Sequence, residues 1–160
     1  DLASELGIKS ASLHYHFPKK ADLGEAMVQR YADRFFDRLY GATHQTSHPE
    51  TRLGAFLSEY RSALGSDNRV CLCVMLGAES PGLPKQVTHA VQDFLNRNIE
   101  WLEAVYANAE TPQPSQKAQT TLASIQGAMI LSSISQNKES FDSVSKAALN
   151  GLSQHSEQAQ

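Results

Sequence analysis

Apolar residues recur every three or four positions along most of this chain, and this spacing predicts helices. The clearest stripe begins at Leu23 and repeats every four residues as far as Leu39. It predicts one long amphipathic helix over residues 20–46, with its charged side chains on the solvated face. No convincing alternation with a period of two is present. The pattern therefore predicts an all-α protein.

Shorter stripes predict the remaining helices, and runs that contain proline, glycine or small polar residues separate them. The clearest of these breaks is Ser80-Pro81-Gly82-Leu83-Pro84. The final Gln- and Ser-containing residues are expected to fray. These helices are predicted over residues 49–64, 70–78, 87–108, 115–136 and 139–153.

The first 23 residues, DLASELGIKSASLHYHFPKKADL, predict a separate small unit. Leu2 and Leu6 share one face of a short helix, and Gly7 follows where a helix favours a left-handed residue. A second short helix then begins, with Ser10 as its better N-cap, and Pro18 ends it. A helix, a tight turn and a second helix form a helix-turn-helix, whose second helix enters the DNA major groove.

The side chains of this second helix suit a nucleic-acid partner. From Gly7 to Lys20 the chain has three Lys, two His, one Tyr, two Ser and no acidic residue. Lysine contacts phosphates, whereas Ser, His and Tyr can contact base edges or phosphates. An ordinary helical hairpin with a polar surface is the alternative. The candidate DNA-binding residues are Lys9, Ser10, Ser12, His14, Tyr15, His16 and Lys20.

The order of residues from Gly7 to Leu23 resembles the signature of the TetR/AcrR family of bacterial repressors. In that family an apolar residue follows the turn glycine, and a Leu, aromatic or His residues, Phe, often Pro, a Lys and an acidic-Leu pair come next. The matching positions here are Ile8, Leu13, His14, Tyr15, His16, Phe17, Pro18, Lys20, Asp22 and Leu23.

The resemblance implies a helix-turn-helix unit over residues 1–22 and a helical ligand-binding and dimerisation domain over residues 23–156. The predicted long helix joins the two. Members of the family carry a further helix before this point, so we expect that the first helix of the unit is missing at the N-terminus.

The helix predicted over residues 115–136 has two apolar stripes, which imply two packing partners. Small residues on one stripe permit close helix approach, either within the chain or to a second copy. The resemblance implies the second case, in which the last two helices pair with their symmetry mates. A homodimer would present two recognition helices to a palindromic operator in double-stranded DNA. The candidate interface residues are Ala123, Gly127, Ile130, Ile134, Phe141, Val144, Ala148 and Leu152.

Large, adaptable side chains are concentrated in the middle helices. They can form plain core, or they can line an apolar pocket with a few polar anchors. The resemblance implies a pocket for a small-molecule inducer that favours the conformation with poor fit to DNA. The candidate pocket residues are Phe56, Tyr60, Met75, Glu79, Phe94, Trp101, Gln126 and Met129.

Cys71 and Cys73 suggest a second possible input. We expect the two residues on one helix, where they face different directions and cannot easily pair. Cys71 lies near a predicted helix N-terminus and two residues after Arg69, and both features would lower its thiol pKa. The segment VCLCVMLGAE also resembles a stretch of electrophile-sensing TetR/AcrR members. A redox- or electrophile-sensing repressor that uses Cys71 is therefore the alternative function, unless both cysteines are simply small buried residues.

Composition restricts the remaining classes of protein. The net charge of this 160-residue chain is −3, so its positive charge is local to the N-terminal unit. We expect a cytoplasmic protein because no apolar run approaches membrane-spanning length and two cysteines make no secreted disulfide framework. No cofactor and no metal site are expected.

Two other function classes are weaker alternatives. An enzyme would need a nucleophile, a base and an orienting group in register, and Cys71 with His89 is the only tempting pair. A helical interaction module needs no particular chemistry. Neither class explains the acid-free segment from Gly7 to Lys20. The sequence therefore favours a transcriptional repressor that a small apolar molecule releases from its operator.

Overall fold

The computed structural model describes Glu5, Gly7 and residues 9–65 and 70–158, with side chains described as far as residue 153. All regular secondary structure in these residues is helical, which confirms the predicted all-α class. A 3-10 turn, Ser80–Gly82, separates the fourth helix from the fifth. The helices are α1 (Ser10–His16), α2 (Lys20–Thr43), α3 (Pro49–Leu64), α4 (Leu72–Ala78), α5 (Lys85–Asn108), α6 (Pro114–Ser135) and α7 (Glu139–Gln158).

Several helix ends differ from the predicted ones by one to five residues. Helix α2 ends at Thr43, three residues early, and the Thr43 hydroxyl donates a hydrogen bond to the Leu39 carbonyl at 2.8 Å. Helix α4 begins at Leu72 instead of residue 70 because Cys71 has extended backbone angles (φ −49°, ψ 136°). Helix α7 continues to Gln158, five residues beyond the predicted end at residue 153.

The structure confirms part of the turn that was predicted near the start of the chain. Gly7 has a φ of 63°, the left-handed conformation expected of a glycine after a helix. The helix predicted over residues 1–6 lies outside the described residues except for Glu5, which is helical. Of the two residues that could open α1, Lys9 is its N-cap, and Ser10, the better cap by side chain, is its first helical residue. Helix α1 ends at His16, just before Phe17 and Pro18, as predicted.

The core is an aromatic cluster centred on Phe35 of α2. Its ring makes edge-to-face contacts with four other rings, at centroid distances of 5.1 to 6.1 Å. Edge-to-face pairs add stabilisation beyond the area they bury. The four rings come from α2, α3 and α5, so the cluster fixes these helices against each other. The partners of Phe35 are Phe36, Phe56, Tyr60 and Phe94.

Helix α7 packs on α6 and α3 and closes the bundle. Phe141 and Leu152 are its fully buried anchors. At the surface, Arg61 of α3 donates two hydrogen bonds to the Asp142 carboxylate, at 2.8 and 3.1 Å. An ion pair that is half-exposed contributes at most about 1 kcal/mol. Apolar packing therefore supplies most of the stabilisation of α7.

We expect Phe35→Ala to lower the free energy of unfolding by about 3–5 kcal/mol, because it removes a fully buried ring and leaves a cavity at the centre of the cluster. Met27→Ala is the matched control, since Met27 lies on the same helix and is half-exposed. It should change the unfolding free energy by no more than about 0.5 kcal/mol. Equal losses for the two variants in urea denaturation would contradict the central place of Phe35.

Candidate functional site

Helix α1 presents its polar side chains to solvent. It contains no buried residue, and Tyr15 is 82% exposed. Leu13 and Phe17 are the half-buried, inward-facing residues of this segment. The ring of Tyr15 contacts the ring of His16 edge to face, with centroids 5.2 Å apart. All seven candidate DNA-binding residues are exposed: Lys9, Ser10, Ser12, His14, Tyr15, His16 and Lys20.

The first turn of α2 directly follows this polar helix. Lys20 begins α2, as predicted, and its N-terminal turn is closed by Asp22, whose Oδ2 accepts a hydrogen bond from the Lys19 backbone N–H at 2.9 Å. A side-chain acceptor at this position satisfies one of the unpaired N–H groups of a helix start. The Asp22 carboxylate, the nearest acidic group to α1 on its C-terminal side, is therefore hydrogen-bonded to the backbone, while Lys19 and Lys20 are exposed.

The outer face of α6 is apolar and unusually open. Ile134 is 76% exposed, and Ile130 and Leu131 are also exposed. Ala123 and Gly127 lie on the same stripe, and an added side-chain carbon at Gly127 would meet nothing within 4 Å. Four of the eight candidate interface residues therefore share one free apolar face.

The other four candidate interface residues belong to α7 and lie differently. Phe141 and Leu152 are 1% and 0% exposed inside the chain's own core, so the prediction that they face a second copy is wrong. They point inward because α7 uses its apolar stripe to cover α3 and α6. Val144 and Ala148 are half-buried and line a shallow groove between α6 and α7.

The candidate pocket residues separate into two groups. Five are buried members of the core: Phe56, Tyr60, Phe94, Trp101 and Met129. Within that group, the rings of Phe56 and Trp101 stack with centroids 5.3 Å apart. Met75 and Glu79 are instead exposed, on and just after α4. The structure therefore does not place these two side chains with the buried five.

Polar groups of the same interior differ in whether they are paired. The Tyr60 hydroxyl donates a hydrogen bond to Oδ1 of Asn98 at 3.1 Å, and Asn98 donates one to the Phe94 carbonyl. Gln126 lies beside the Tyr60 hydroxyl, and its hydrogen bond opposes the larger effect of burial, which raises the pKa of Tyr60. Within the described residues, Nε1 of Trp101 is enclosed but has no hydrogen-bond partner. An enclosed donor without an acceptor costs roughly 1–3 kcal/mol, so an acceptor that reached Trp101 would be stabilising.

The two cysteines lie together, which corrects the prediction that they face different directions. Both are buried, and their thiols are hydrogen-bonded to each other. The prediction assumed two helical residues, whereas Cys71 is the N-cap of α4 and has non-helical backbone angles. The Tyr31 hydroxyl of α2 also donates a hydrogen bond to Sγ of Cys71, at 3.0 Å. We call Tyr31, Cys71 and Cys73 the thiol cluster.

The hydrogen bonds of the thiol cluster shift the pKa values of the two thiols in opposite directions. Donation from the Cys73 thiol, and then from Tyr31, lowers the pKa of Cys71 below its usual value, against the opposing effect of burial. The pKa of Cys73 is raised because its proton is held between the two sulfurs and the thiol is buried. Burial, followed by the nearby Cys71, raises the pKa of Tyr31. Cys71 is therefore the group of the cluster that carries negative charge most readily.

Solved structures with the same architecture come from several bacteria. A TetR transcriptional regulator from Legionella pneumophila matches with a TM-score of 0.87 and 24% identity, over 92% of this chain and 82% of that one. A TetR-family transcriptional regulator from Agrobacterium tumefaciens matches with a TM-score of 0.85 and 25% identity, over 94% and 83%. This chain has the TetR-family fold. The reduced form of E. coli NemR shares this TetR fold, with a TM-score of 0.79 and 22% identity over 93% and 82%. No family model matches the sequence, and no curated protein matches it.

Sequence reasoning missed Tyr31 as a functional neighbour in this TetR fold. Tyr31 lies on the apolar stripe of α2, and a Tyr on such a stripe must find a partner for its hydroxyl when it is buried. That signal predicts a polar partner but does not name Cys71. His89 lies exposed on the cleft between α2 and α5, whereas Cys71 is buried, and Arg69 lies outside the described residues.

The described ranges are residues 9–65 and 70–158, together with Glu5 and Gly7. No helix there is long and apolar enough to cross a membrane. No group of three or more His, Cys, Asp or Glu side chains there is placed to hold a metal ion.

Proposed function

We propose that this protein is a DNA-binding transcriptional regulator, and that α1 reads the major groove of its operator. The observation that carries the proposal is the exposure of every polar side chain of α1, in a chain that has the TetR-family fold. Lys9 and Lys20 lie at the two ends of this surface, where they would contact phosphates, and His14 and Tyr15 lie between them. Base contacts would come from the central residues of α1.

A homodimer would complete the DNA-binding surface. One seven-residue helix offers few base contacts, whereas two helices one DNA turn apart read both halves of a palindrome. The exposed apolar face of α6 supports this assembly, because Ile130, Leu131 and Ile134 would lose their contact with water against a second copy. The small residues Ala123 and Gly127 would let the two copies of α6 approach closely.

A small apolar inducer is the signal we propose for the core. Trp101 presents an enclosed N–H without an acceptor among the described residues, and it is one of the candidate pocket residues. The ring of Trp101 stacks on Phe56 in the core, so an inducer would have to separate packed side chains when it enters. Its binding would favour a conformation in which the two copies of α1 no longer match the operator spacing. The protein would then act in the cytoplasm as a repressor that releases its operator.

The thiol cluster supports a second candidate function, control by oxidants. The Cys71 thiolate would attack a hydroperoxide, which forms a sulfenic acid and releases an alcohol or water. The Cys73 thiol would then displace water from this sulfenic acid and form a disulfide. The favouring observation is the pairing of a low-pKa thiol with a protonated thiol that hydrogen-bonds to it.

Substitutions on α1 should separate base reading from phosphate contact in the full-length protein, measured by fluorescence anisotropy with a selected operator and a random duplex. Tyr15→Ala should weaken operator binding by about 5- to 150-fold and leave random duplex binding unchanged. Lys20→Ala should weaken both and reduce the slope of log affinity against log salt by about one. Lys146→Ala, an exposed lysine on α7, is the control. Equal salt slopes for the two lysine variants would contradict this placement of the DNA.

Ile134→Glu should convert the dimer to a monomer, because it places a charge at the most exposed apolar side chain on the face of α6. Sedimentation velocity at micromolar concentration measures the change, and operator affinity should fall with it. Met75→Glu is the matched control, since Met75 is an exposed apolar residue on α4. A wild-type protein that sediments as a monomer would refute the dimer.

Removal of the Cys73 thiol by Cys73→Ala should raise the pKa of Cys71, since the hydrogen bond from Cys73 contributes most to the lowering. The pH dependence of Cys71 alkylation, followed by mass spectrometry, should therefore shift to higher pH. Hydroperoxide should reduce operator affinity of the wild type but not of Cys71→Ser. Complete oxidation of Cys71 without any change in operator affinity would eliminate the second candidate function.

A further inference from the structure

The first two turns of α2 contact the first turn of α5 through one amide side chain. Nε2 of Gln86 donates a hydrogen bond to Oδ1 of Asp22 and another to Oε2 of Glu25, each at 3.1 Å. Both bonds are partly buried. We call these three side chains the Gln86 bridge.

The chemistry of the Gln86 bridge requires a donor at its centre. Asp22 and Glu25 are three residues apart, so their carboxylates lie on one face of α2 and repel each other. Carboxylates only accept hydrogen bonds, and a Gln amide nitrogen supplies two donors. One Gln86 side chain therefore satisfies both carboxylates, and hydrogen bonds to charged acceptors are stronger than neutral ones.

Helices α2 and α5 pack closely beside the Gln86 bridge. A side-chain carbon added to Gly24 would lie 3.0 Å from Cγ2 of Val87, so α2 and α5 approach closely at this level. Gly24 and Val87 are each adjacent in sequence to a bridge residue. Close packing and two hydrogen bonds thus occur at the same crossing of α2 and α5.

The bridge lies at the point where the DNA-binding unit meets the larger domain. The second oxygen of Asp22 accepts the hydrogen bond from the Lys19 backbone N–H, at 2.9 Å. Only Phe17 and Pro18 lie between the end of α1 and Lys19. A chain of contacts therefore runs from α5 through Gln86 and Asp22 to the segment that ends α1.

We propose that Gln86 is a positioning residue, which sets the orientation of α1 relative to α5 and so controls operator affinity without contact to DNA. This inference rests on the proposed DNA-binding function. Its mechanism is local, since the amide links the first turn of α2, which carries α1, to a helix of the aromatic core.

The bridge also has a natural control within the same helix. Nε2 of Gln29 donates a hydrogen bond to the other oxygen of Glu25, Oε1, at 3.2 Å. Gln29 and Glu25 both belong to α2 and are exposed at this contact. Gln29→Glu therefore adds the same charge beside the same carboxylate as Gln86→Glu, but it breaks no bond between helices.

Operator affinity of the full-length protein tests the proposal. Gln86→Glu should lower it about tenfold or more, because three carboxylates then meet and the donor between the two helices is lost. Gln29→Glu should stay within about twofold of the wild type. The exchange Glu25→Gln with Gln86→Glu restores a donor between the helices and should recover most of the loss. Wild-type affinity in Gln86→Glu, or no recovery in the exchanged pair, would overturn the proposal.

Hydrogen exchange without DNA provides a readout that does not depend on the proposed function. Gln86→Met keeps the length of the side chain, removes both donors and adds no charge, so it tests the bridge even if Gln86→Glu fails to fold. Amides of residues 10–20 should exchange faster in this variant, while amides around Phe94 stay unchanged. Unchanged exchange in residues 10–20 would overturn the bridge. A wild-type protein that binds no DNA would overturn the proposed function alone.

Discussion

The ring contacts of Phe35 decide where the long helix α2 lies, and the rest of the molecule depends on that helix. Helix α2 belongs to two parts of the protein at once. Its middle is buried against α3 and α5 in the aromatic cluster, and its first turn follows α1 directly. Any change that reaches Phe35, Tyr60 or Phe94 must therefore be transmitted along a continuous helix to the polar surface of α1.

The same interior combines good packing with an incomplete hydrogen-bonding site. Phe56 and Trp101 stack closely, and Tyr60 is paired with Asn98, yet the N–H group of Trp101 has no acceptor among the described residues. A core optimised only for stability would avoid enclosed donors of this kind. A core that also accommodates a ligand has a reason to retain them. This difference makes the interior a better candidate for regulation than the exposed Met75 and Glu79.

Most of the fold could be predicted from the sequence because it depends on local pattern. The four-residue stripe from Leu23 to Leu39, the glycine at position 7 and the proline at position 18 each act through neighbouring residues. The exposure of the α1 residues followed from the same pattern. The burial of Phe141 and Leu152 could not be predicted, because an apolar stripe shows that a helix face is covered but not by which surface.

The thiol cluster and the Gln86 bridge show a second limit of sequence reasoning. Both join residues that are 40 or more positions apart, and their members were assigned to helices without any indication of which helices cross. The position of Cys71 was also predicted wrongly, because Cys71 is the N-cap of α4 and not one of its helical residues. Contacts of this kind depend on tertiary geometry, and residue spacing alone does not contain it.

Because α2 is continuous, a small tilt of the helix near Phe35 would move its N-terminal end over a larger distance. Lys20 and Phe35 are separated by fifteen residues of uninterrupted helix, which is about 22 Å at 1.5 Å per residue. A tilt of about 5° pivoting at Phe35 would therefore displace Lys20 by roughly 2 Å. A movement in the interior that is smaller than one methyl group would therefore shift Lys20 by a distance comparable with the length of a hydrogen bond.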